Sequence, residues 1–404
     1  MVSYSRNAGG HAAMPCKLRI FVYRSYLPHL ELQRASGRFF GWSNSYVEHD
    51  HNISCLEGPC LYSSFGANNI RQYTGEVPIY KRLVTQCPTT ADPAAADIFL
   101  VPFFFGYMMS LGWQLKTAEW RAEHRDMMKA ALDAKRLLPH LTNRTAARHL
   151  FLFTCDSQFV NIDLHPLLRQ SLVVHLGDDA FTGKAAPVNY MAPKRSSYFM
   201  PNSLIVPYRV SQWLPFGFTP PVIGPRRLLV SMNVNFARHK HRKRVAEQLL
   251  SDVNRLNMST ERIFVSSQMM GPAEAGQIAR ESTFCICPTG DSKGYTARFY
   301  FVMLHGCLPV RVDGWLRNTS LAPPTYPFPG LIDWKKIVID MVAEEIGASD
   351  LTPKLLQMPI REVEERQSHL RHAAHWLLYD MKDHAHHDAP AALVKTLQDM
   401  LDGT

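Results

Sequence analysis

The 404-residue sequence contains no run of 18 uninterrupted apolar residues, and its first sixteen residues lack the apolar core of a signal peptide. No block of five or six like charges occurs, and no basic, aromatic-rich motif of a known nucleic-acid module is present. The sequence also lacks a Cys-x-x-Cys pair, which zinc and thioredoxin motifs require. As written, it predicts a chain with no membrane anchor or secretory leader of its own and argues against nucleic-acid binding.

The composition is that of a globular protein. Hydrophobic residues make up 46% of the chain and charged residues 20%, which is enough apolar surface to offset chain entropy. A length of 404 residues exceeds what one core usually supports, so we expect two packed domains. The formal net charge of +9 favours anionic partners such as nucleotide phosphates, acidic glycans or anionic membrane surfaces.

Cysteines and glycosylation sequons bear on the cellular compartment. The eight cysteines are an even number and allow disulfides, but their pairing cannot be deduced from the sequence. Four Asn-x-Ser/Thr sequons favour a lumenal protein, and they lie at Asn52, Asn143, Asn257 and Asn318. Because no leader is visible, two interpretations stay open: the sequence as written begins after an anchor, or the sequons arose by chance.

Short runs rich in Val, Ile, Phe and Leu alternate with helix-like stretches, which predicts an α/β fold with parallel sheets. The predicted strands are 17–23, 97–104, 149–154, 171–176 and 203–207, then 227–234, 262–266, 283–287 and 307–312. Helices are predicted at 118–138, near 240–250, near 295–305 and over most of 343–401, where 359–379 carries an apolar stripe.

A proline-rich stretch divides the chain. Pro215, Pro220, Pro221 and Pro225 each fix φ and remove a backbone donor, so regular structure should stop there. We predict two doubly wound, Rossmann-like domains that face a cleft and bind ligand at the carboxyl ends of their strands. The predicted parts are a flexible N-terminus at 1–16, a first domain at 17–215, a linker at 216–226, a second domain at 227–340 and C-terminal helices at 341–404.

The segment 282–312 carries the most informative motif. A strand leads into the loop 288–294, which contains two glycines, and a helix begins near Tyr295. The N–H groups and positive dipole end of a helix start favour a diphosphate, and Arg298, one turn further, can add a bidentate contact. Spacing alone also allows a glycine-containing surface loop beside a solvated arginine.

The order Phe-Cys-x-Cys-Pro-x-Gly-Asp, then Arg298, then Gly-Cys-x-Pro-Val resembles the signature of the exostosin family, glycosyltransferase family 47. Four further stretches resemble the family in the same order, and they lie at 92–103, 149–156, 206–208 and 334–345 with 388–390. The resemblance covers residues 17–392. It implies a GT-B fold, a nucleotide-sugar donor (UDP-linked by our prediction) on the second domain, an acceptor glycan mostly on the first, and inversion at the anomeric carbon. It further implies a Golgi enzyme that needs no cofactor, and it leaves a homodimer or heterodimer open.

The resemblance also assigns residues. It implies donor contacts from Gly290, Asp291, Ser292 and Arg298, with Gly306 and Cys307 packing beneath the donor; for Cys307 the residue type favours a buried apolar or disulfide role. One position departs from the family, which usually has Asp or Glu three residues after the arginine, where this sequence has Phe301. Phenylalanine cannot accept a hydrogen bond, so we expect altered donor choice or lost activity.

Inverting transfer needs a general base that takes the proton of the acceptor hydroxyl. Asp156, just after the strand 149–154, is the candidate and Asp163 the reserve, although an Asx turn or helix cap is an alternative role for Asp156. In the basic segment 238–244, we expect Arg238 to face the leaving diphosphate and the other residues to form a solvated helix face.

Metal binding is not predicted. The sequence has no Asp-x-Asp triplet, and the spacing of His369, His372 and His375 drifts around a helix. A second histidine cluster, His384, His386 and His387, lies in a polar segment where surface exposure is expected. Two alternatives to an active transferase stay open: an inactive relative that acts as a partner subunit or glycan-binding protein, and a soluble nucleotide-binding enzyme of another chemistry.

Overall fold

A computed structural model describes residues 15–23, 75–102, 138–154, 166–176, 203–210, 214, 218–236, 239–257, 259–289, 296–313, 326–342, 351–379 and 387–402. These residues contain two five-stranded sheets with helices between many of the strands, and all strand pairs are parallel. The predicted α/β class with two parallel sheets is therefore confirmed.

The first sheet has the order β1-β2-β3-β4-β5. Its strands are β1 (Ile20–Val22), β2 (Ile98–Val101), β3 (His149–Phe153), β4 (Leu172–His175) and β5 (Ser203–Ile205). Every residue of β2, β3 and β4 is buried, which explains their mainly apolar sequences, with one histidine each in β3 and β4. Helix α1 (Glu76–Gln86) and 3₁₀ turns at Pro93–Ala95, Ala146–Arg148 and Pro166–Gln170 accompany the sheet. The predicted helix 118–138 lies almost wholly outside the described residues.

The second sheet has the order β10-β9-β8-β6-β7. Its strands are β6 (Leu228–Asn233), β7 (Ile263–Ser266), β8 (Ser282–Pro288), β9 (Leu308–Asp313) and β10 (Ile339–Val342). Its helices are α2 (Lys240–Arg255), α3 (Pro272–Glu281) and α4 (Ala297–Leu304), with 3₁₀ turns at Thr260–Arg262 and Trp334–Lys336. All nine predicted strands are present, whereas α1, α3 and β10 were not predicted.

The C-terminal segment is helical, as predicted, and it returns to the first sheet. It contains α5 (Leu351–Gln357), α6 (Ile360–Ala373), a 3₁₀ turn (Ala374–Leu377) and α7 (Ala389–Asp402). Helix α7 packs against α1, and the Tyr379 hydroxyl donates to the carbonyl of Pro207 at 2.7 Å. Among the helices described, none is long and apolar enough to cross a membrane.

Two disulfides lie at corresponding places in the two halves. Cys16, just before β1, is bonded to Cys87 at the end of α1. Cys285 in β8 is bonded to Cys307, just before β9. Cys287 is a buried free thiol, and the other three cysteines lie outside the described residues.

Candidate functional site

The donor loop predicted at 288–294 leaves the carboxyl edge of the second sheet from a fixed point. The N–H of Thr289 donates to the carbonyl of Val312 in β9 at 3.0 Å. The carbonyl of Thr289 accepts from Arg242 Nε at 3.0 Å and lies 2.9 Å from His241 Nε2. Because a carbonyl oxygen only accepts, His241 carries a proton on Nε2. The first turn of α2 thus anchors the residue from which the loop departs.

These contacts correct part of the prediction for the basic segment 238–244. A fully solvated helix face was expected beyond Arg238, but His241 and Arg242 are partly buried and turn toward Thr289. The prediction holds for Lys243 and Arg244, which are exposed. Composition could not separate the two pairs, because only the position of α2 beside β8 decides which side chains meet the loop.

Arg298 lies in the first turn of α4, on the other side of the loop. The side chain is half-buried, and its Nε atom has no hydrogen-bond partner among the described residues. Burial lowers the pKa of the guanidinium, which the nearby Cys287 partly offsets. Burial raises the pKa of the Cys287 thiol to about 12, so this thiol is neutral and supplies no counter-charge. A buried cationic donor without a partner is the feature expected where an anion binds.

A charged pair that sequence analysis missed extends this edge toward β10. Arg311 in β9 is paired in register with both Cys287 and Asp340, so the three side chains share one face of the sheet. Arg311 Nε donates to Asp340 Oδ1 at 2.8 Å, and the Tyr326 hydroxyl donates to the same carboxylate at 2.9 Å. A charged residue within the otherwise apolar strand 307–312 was the signal available in the sequence.

An aromatic cluster supports this face. The ring of Tyr326 stacks on Trp334 with centroids 4.8 Å apart, and Phe299 of α4 lies 6.2 Å from each of them. Trp334 is buried, and its Nε1 donates to the carbonyl of Pro327 at 2.6 Å. This bond gives the indole N–H a hydrogen-bond partner away from water. The start of α4 is therefore packed against the segment that leads into β10.

Gly306 and Cys307 lie at the opposite end of β9 from the loop. Gly306 has φ of +81°, and a Cβ there would come within 2.8 Å of Pro221 and 2.9 Å of Arg226. The glycine is therefore required by the linker that packs on it. Cys307 is the disulfide partner of Cys285, in line with the role that its residue type favoured.

Phe301, the departure from the family pattern, belongs to the core. Its side chain is 6% exposed, and its ring lies 4.3 Å from that of His305 one turn later. The Phe301 carbonyl also accepts from His305 Nδ1 at 2.8 Å. Burial lowers the pKa of His305 to about 4, so the imidazole is neutral at pH 7.

The carboxyl edge of the first sheet holds a buried polar cluster, also missed from the sequence. The N–H of Glu76 donates to Thr154 Oγ1 at 3.2 Å, just after β3, and the Glu76 side chain is fully buried. Tyr379 lies beside it: burial raises the pKa of this phenol, with further contributions from the carboxylates of Asp388 and Glu76, while Arg209 lowers it. Tertiary contacts between segments far apart in sequence create this cluster.

Several predicted residues lie outside the described part of the chain. They are Asp156, Asp163, Arg238, Gly290, Asp291, Ser292, His384, His386, Asn52 and Asn318. Their roles stay predictions. Asn143 and Asn257 are described and exposed, as a glycosylated asparagine must be.

Histidines do not assemble a metal site in the described residues, which contain no group of three His, Cys, Asp or Glu side chains placed to hold an ion. His369 and His372 are exposed on α6. His375 is partly buried, and its ring centroid lies 5.6 Å from that of His387. Burial, followed by His387 and His372, lowers the pKa of His375 to about 4.

Comparison with protein families gives a match that spans most of the chain. A family model described as the exostosin GT47 domain matches residues 15–349. A search of curated protein sequences found no significant match.

Similar solved structures are remote. The glycotransferase of kitacinnamycin is 10% identical, with 96% of this chain and 100% of that chain covered and a TM-score of 0.31. A trehalose 6-phosphate synthase from Burkholderia multivorans is 10% identical, with coverages of 72% and 79% and a TM-score of 0.35. A glycosyltransferase from Rickettsia africae ESF-5 is 10% identical, with coverages of 84% and 96% and a TM-score of 0.34. Similarity at this level carries no argument about function.

Proposed function

Because the chain belongs to the exostosin GT47 family, we propose that it is an inverting glycosyltransferase that uses a UDP-linked sugar and a glycan or glycoprotein hydroxyl as acceptor. Glycosyl transfer is the activity of the family. The inverting course, the UDP donor, the acceptor and a Golgi location are the finer parts of the proposal. It needs no cofactor besides the nucleotide sugar.

The observation that carries the proposal is the buried Nε of Arg298 at the start of α4, which has no hydrogen-bond partner among the described residues. On the other side of the loop, Thr289 is held in place by His241, Arg242 and Val312. A diphosphate between these groups would accept from the guanidinium and from backbone N–H groups at the helix start. The same guanidinium would stabilise the negative charge that grows on the leaving diphosphate as the glycosidic bond breaks.

In the proposed reaction, the acceptor oxygen attacks the anomeric carbon from the face opposite the diphosphate. The bond from that carbon to the diphosphate oxygen breaks, and the nucleoside diphosphate leaves with the bonding electrons. The hydroxyl proton passes to a carboxylate, for which Asp156 is our candidate and Asp163 the reserve. Asp156 follows Thr154, which places it in the chain directly beyond the carboxyl end of β3.

The two disulfides support a lumenal, oxidising compartment, because structural disulfides are rare in the cytosol. The exposed sequon residues Asn143 and Asn257 fit the same location. Both observations favour the Golgi transferase over a soluble enzyme of another chemistry. The inactive-partner alternative rests on Phe301, and turnover of the donor decides between it and the active enzyme.

The test is a thermal-shift measurement with UDP and GDP species. A ligand bound only to the folded protein at 100 times its Kd stabilises it by about 2.7 kcal/mol, which raises the melting temperature. We expect UDP to stabilise the wild type and Arg262→Ala, whose arginine is exposed in a 3₁₀ turn remote from the loop, but not Arg298→Ala. A wild type that no nucleotide stabilises, or full stabilisation of Arg298→Ala, would overturn the donor site. Inversion would then be tested on the product of a UDP-sugar reaction. The new glycosidic linkage should have the anomeric configuration opposite to that of the sugar in the donor.

A further inference from the structure

A cavity of about 580 Å³ lies at the amino ends of β8 and β9. Its walls come from the linker 219–227, the end of α3 at Arg280 and Glu281, and the end of α4 at Leu304 and His305. We call it the linker cavity. The donor loop is at the other end of β8, whose seven residues at about 3.3 Å each place it roughly 20 Å away. The linker cavity is therefore no part of the proposed donor site, and its volume is in the usual range of small-molecule sites, about 300–1,000 Å³.

Much of the linker cavity wall is aliphatic. Leu304, Pro220 and Pro221 line it, and two apolar side chains are left in solvent beside them: Val222 is 72% exposed and Ile223 37% exposed. Among the described residues that line it, none is Phe, Tyr or Trp. These described walls offer apolar contact to a flexible aliphatic body.

The charges around the linker cavity are unbalanced. Three of its arginines face one carboxylate, Glu281, and that carboxylate is already bonded to Arg227 Nε at 2.8 Å. Arg280 donates to the neutral amide of Gln277 at 3.1 Å. Arg226 donates to the carbonyls of Arg280 at 2.6 Å and Val222 at 2.9 Å, and it contacts no carboxylate among the described residues. Among the described residues, the linker cavity thus has three guanidinium groups and one carboxylate, and that carboxylate forms its ion pair with Arg227.

The linker cavity is preformed, because its linker is bonded to the second sheet and its helices. The N–H of Gly224 donates to Gln367 Oε1 of α6 at 2.8 Å, and Gln367 Nε2 donates back to the Gly224 carbonyl at 3.2 Å. Pro221 packs directly on Gly306. Arg226 is partly buried, and this burial lowers the pKa of its guanidinium. A ligand there needs little reorganisation of the protein.

We propose that the linker cavity binds a small amphipathic anion, with an aliphatic body against Leu304 and the prolines and a carboxylate or phosphate head between Arg226 and Arg280. This proposal goes beyond the glycosyl transfer proposed above and does not depend on it. The chemistry on the walls distinguishes such a ligand from an uncharged lipid, which the arginines would not bind, and from a small inorganic anion, which the aliphatic wall would not hold.

A matched set of four probes tests the proposal by calorimetric titration of the full chain. Decanoate and decyl phosphate carry both features, decanol lacks the charge, and acetate lacks the aliphatic body. We expect saturable binding of at least one of the two amphipathic anions, with decanol and acetate roughly tenfold weaker or undetectable. Whichever of decanoate and decyl phosphate binds with the higher affinity identifies the preferred head group. Absence of saturable binding by both, or equal binding of decanol, would overturn the proposal.

Surface variants locate the binding. Arg280→Ser and Val222→Asp change exposed side chains at the mouth of the linker cavity. We expect each to weaken the binding of the amphipathic anion by roughly tenfold. Arg262→Ser, an exposed arginine elsewhere, is the control and should bind like the wild type. Binding that survives both cavity variants would refute the assigned site. UDP stabilisation, measured on the same samples, should be equal in all of them, so failure here is distinguishable from failure of the donor site.

Discussion

The carboxyl edges of the two sheets hold buried polar groups of opposite kinds. At the second sheet, Arg298 Nε is buried without a partner among the described residues, beside a loop that leaves from a fixed residue. At the first sheet, Arg82 forms a buried ion pair with Asp388, and the N–H of the buried Glu76 donates to Thr154 Oγ1. The difference separates two uses of buried polar residues: paired groups hold segments together, while the Nε of Arg298 at the helix start can donate to a ligand.

The largest effect should come from breaking the paired cluster. Asp388 accepts from Arg82, and its Oδ1 also accepts from the N–H of Ala391 at 2.9 Å in the first turn of α7. Asp388→Ala removes the carboxylate from the buried guanidinium of Arg82 and also removes a helix cap, so we expect a loss of about 3–5 kcal/mol in the free energy of unfolding, measured by denaturant titration.

Asp388→Asn is the control for the charge, because the amide oxygen keeps the cap. We expect it to be less destabilising than Asp388→Ala. UDP should still stabilise the folded fraction of either variant, since the proposed donor site lies at the second sheet and Asp388 packs at the first. If Asp388→Ala unfolded with the wild-type midpoint, the ion pair would have no structural role and the contrast between the two edges would fail.

Acid should weaken the folded state through its buried neutral histidines. Burial lowers the pKa of His149 to about 4 and that of His175 to about 3, well below the ordinary value of 6.5. The unfolded chain therefore binds more protons below pH 6.5, so stability is complete above that pH and falls as the pH drops toward 4. We expect each of these histidines to remove roughly 2 kcal/mol by pH 5.

His149 offers a matched test of the acid effect. Its Nδ1 lies 2.8 Å from the Thr145 carbonyl, so Nδ1 carries the proton and Nε2 accepts from the Tyr23 hydroxyl at 2.8 Å. The double variant Tyr23→Phe/His149→Phe removes both partners and leaves no unpaired hydroxyl. Its melting temperature should fall less between pH 7 and pH 5 than that of the wild type. If the melting temperatures of the variant and the wild type fell equally with pH, protonation of His149 would have no effect on stability.

Most of the fold was predictable because buried parallel strands have mainly apolar sequences, as in β2, β3 and β8. Strand β10 was missed because Asp340 interrupts its short apolar run, and its charge is explained only by Arg311 on the neighbouring strand. Arg298 could be proposed from the sequence because its spacing from the loop is local, and its role in donor binding stays a prediction. The burial of Glu76 depends on Thr154, 78 residues further along the chain, and on Tyr379 in the C-terminal segment, so no local pattern reports it.

The smallest effect should come from the residues that hold the donor loop. Arg242 contacts Thr289 through its Nε, whereas the next residue, Lys243, is exposed and lies 3.7 Å from Glu247. Arg242→Gln removes one of three hydrogen bonds that fix Thr289, so the loop would sample more conformations before it binds a donor. We expect the KM for the donor to rise roughly fivefold, equivalent to about 1 kcal/mol, while the melting temperature of the ligand-free protein changes little.

Lys243→Gln carries the same loss of charge on the same turn of α2 without the contact, so it separates loop positioning from general electrostatic attraction. It should keep the donor KM within about twofold of the wild type. If the two variants raised KM equally, and if the increase vanished at high salt, the basic segment would act only by attracting the anionic donor over a distance. A selective effect of Arg242→Gln that persists in salt would instead show that the contact with Thr289 positions the loop for donor binding.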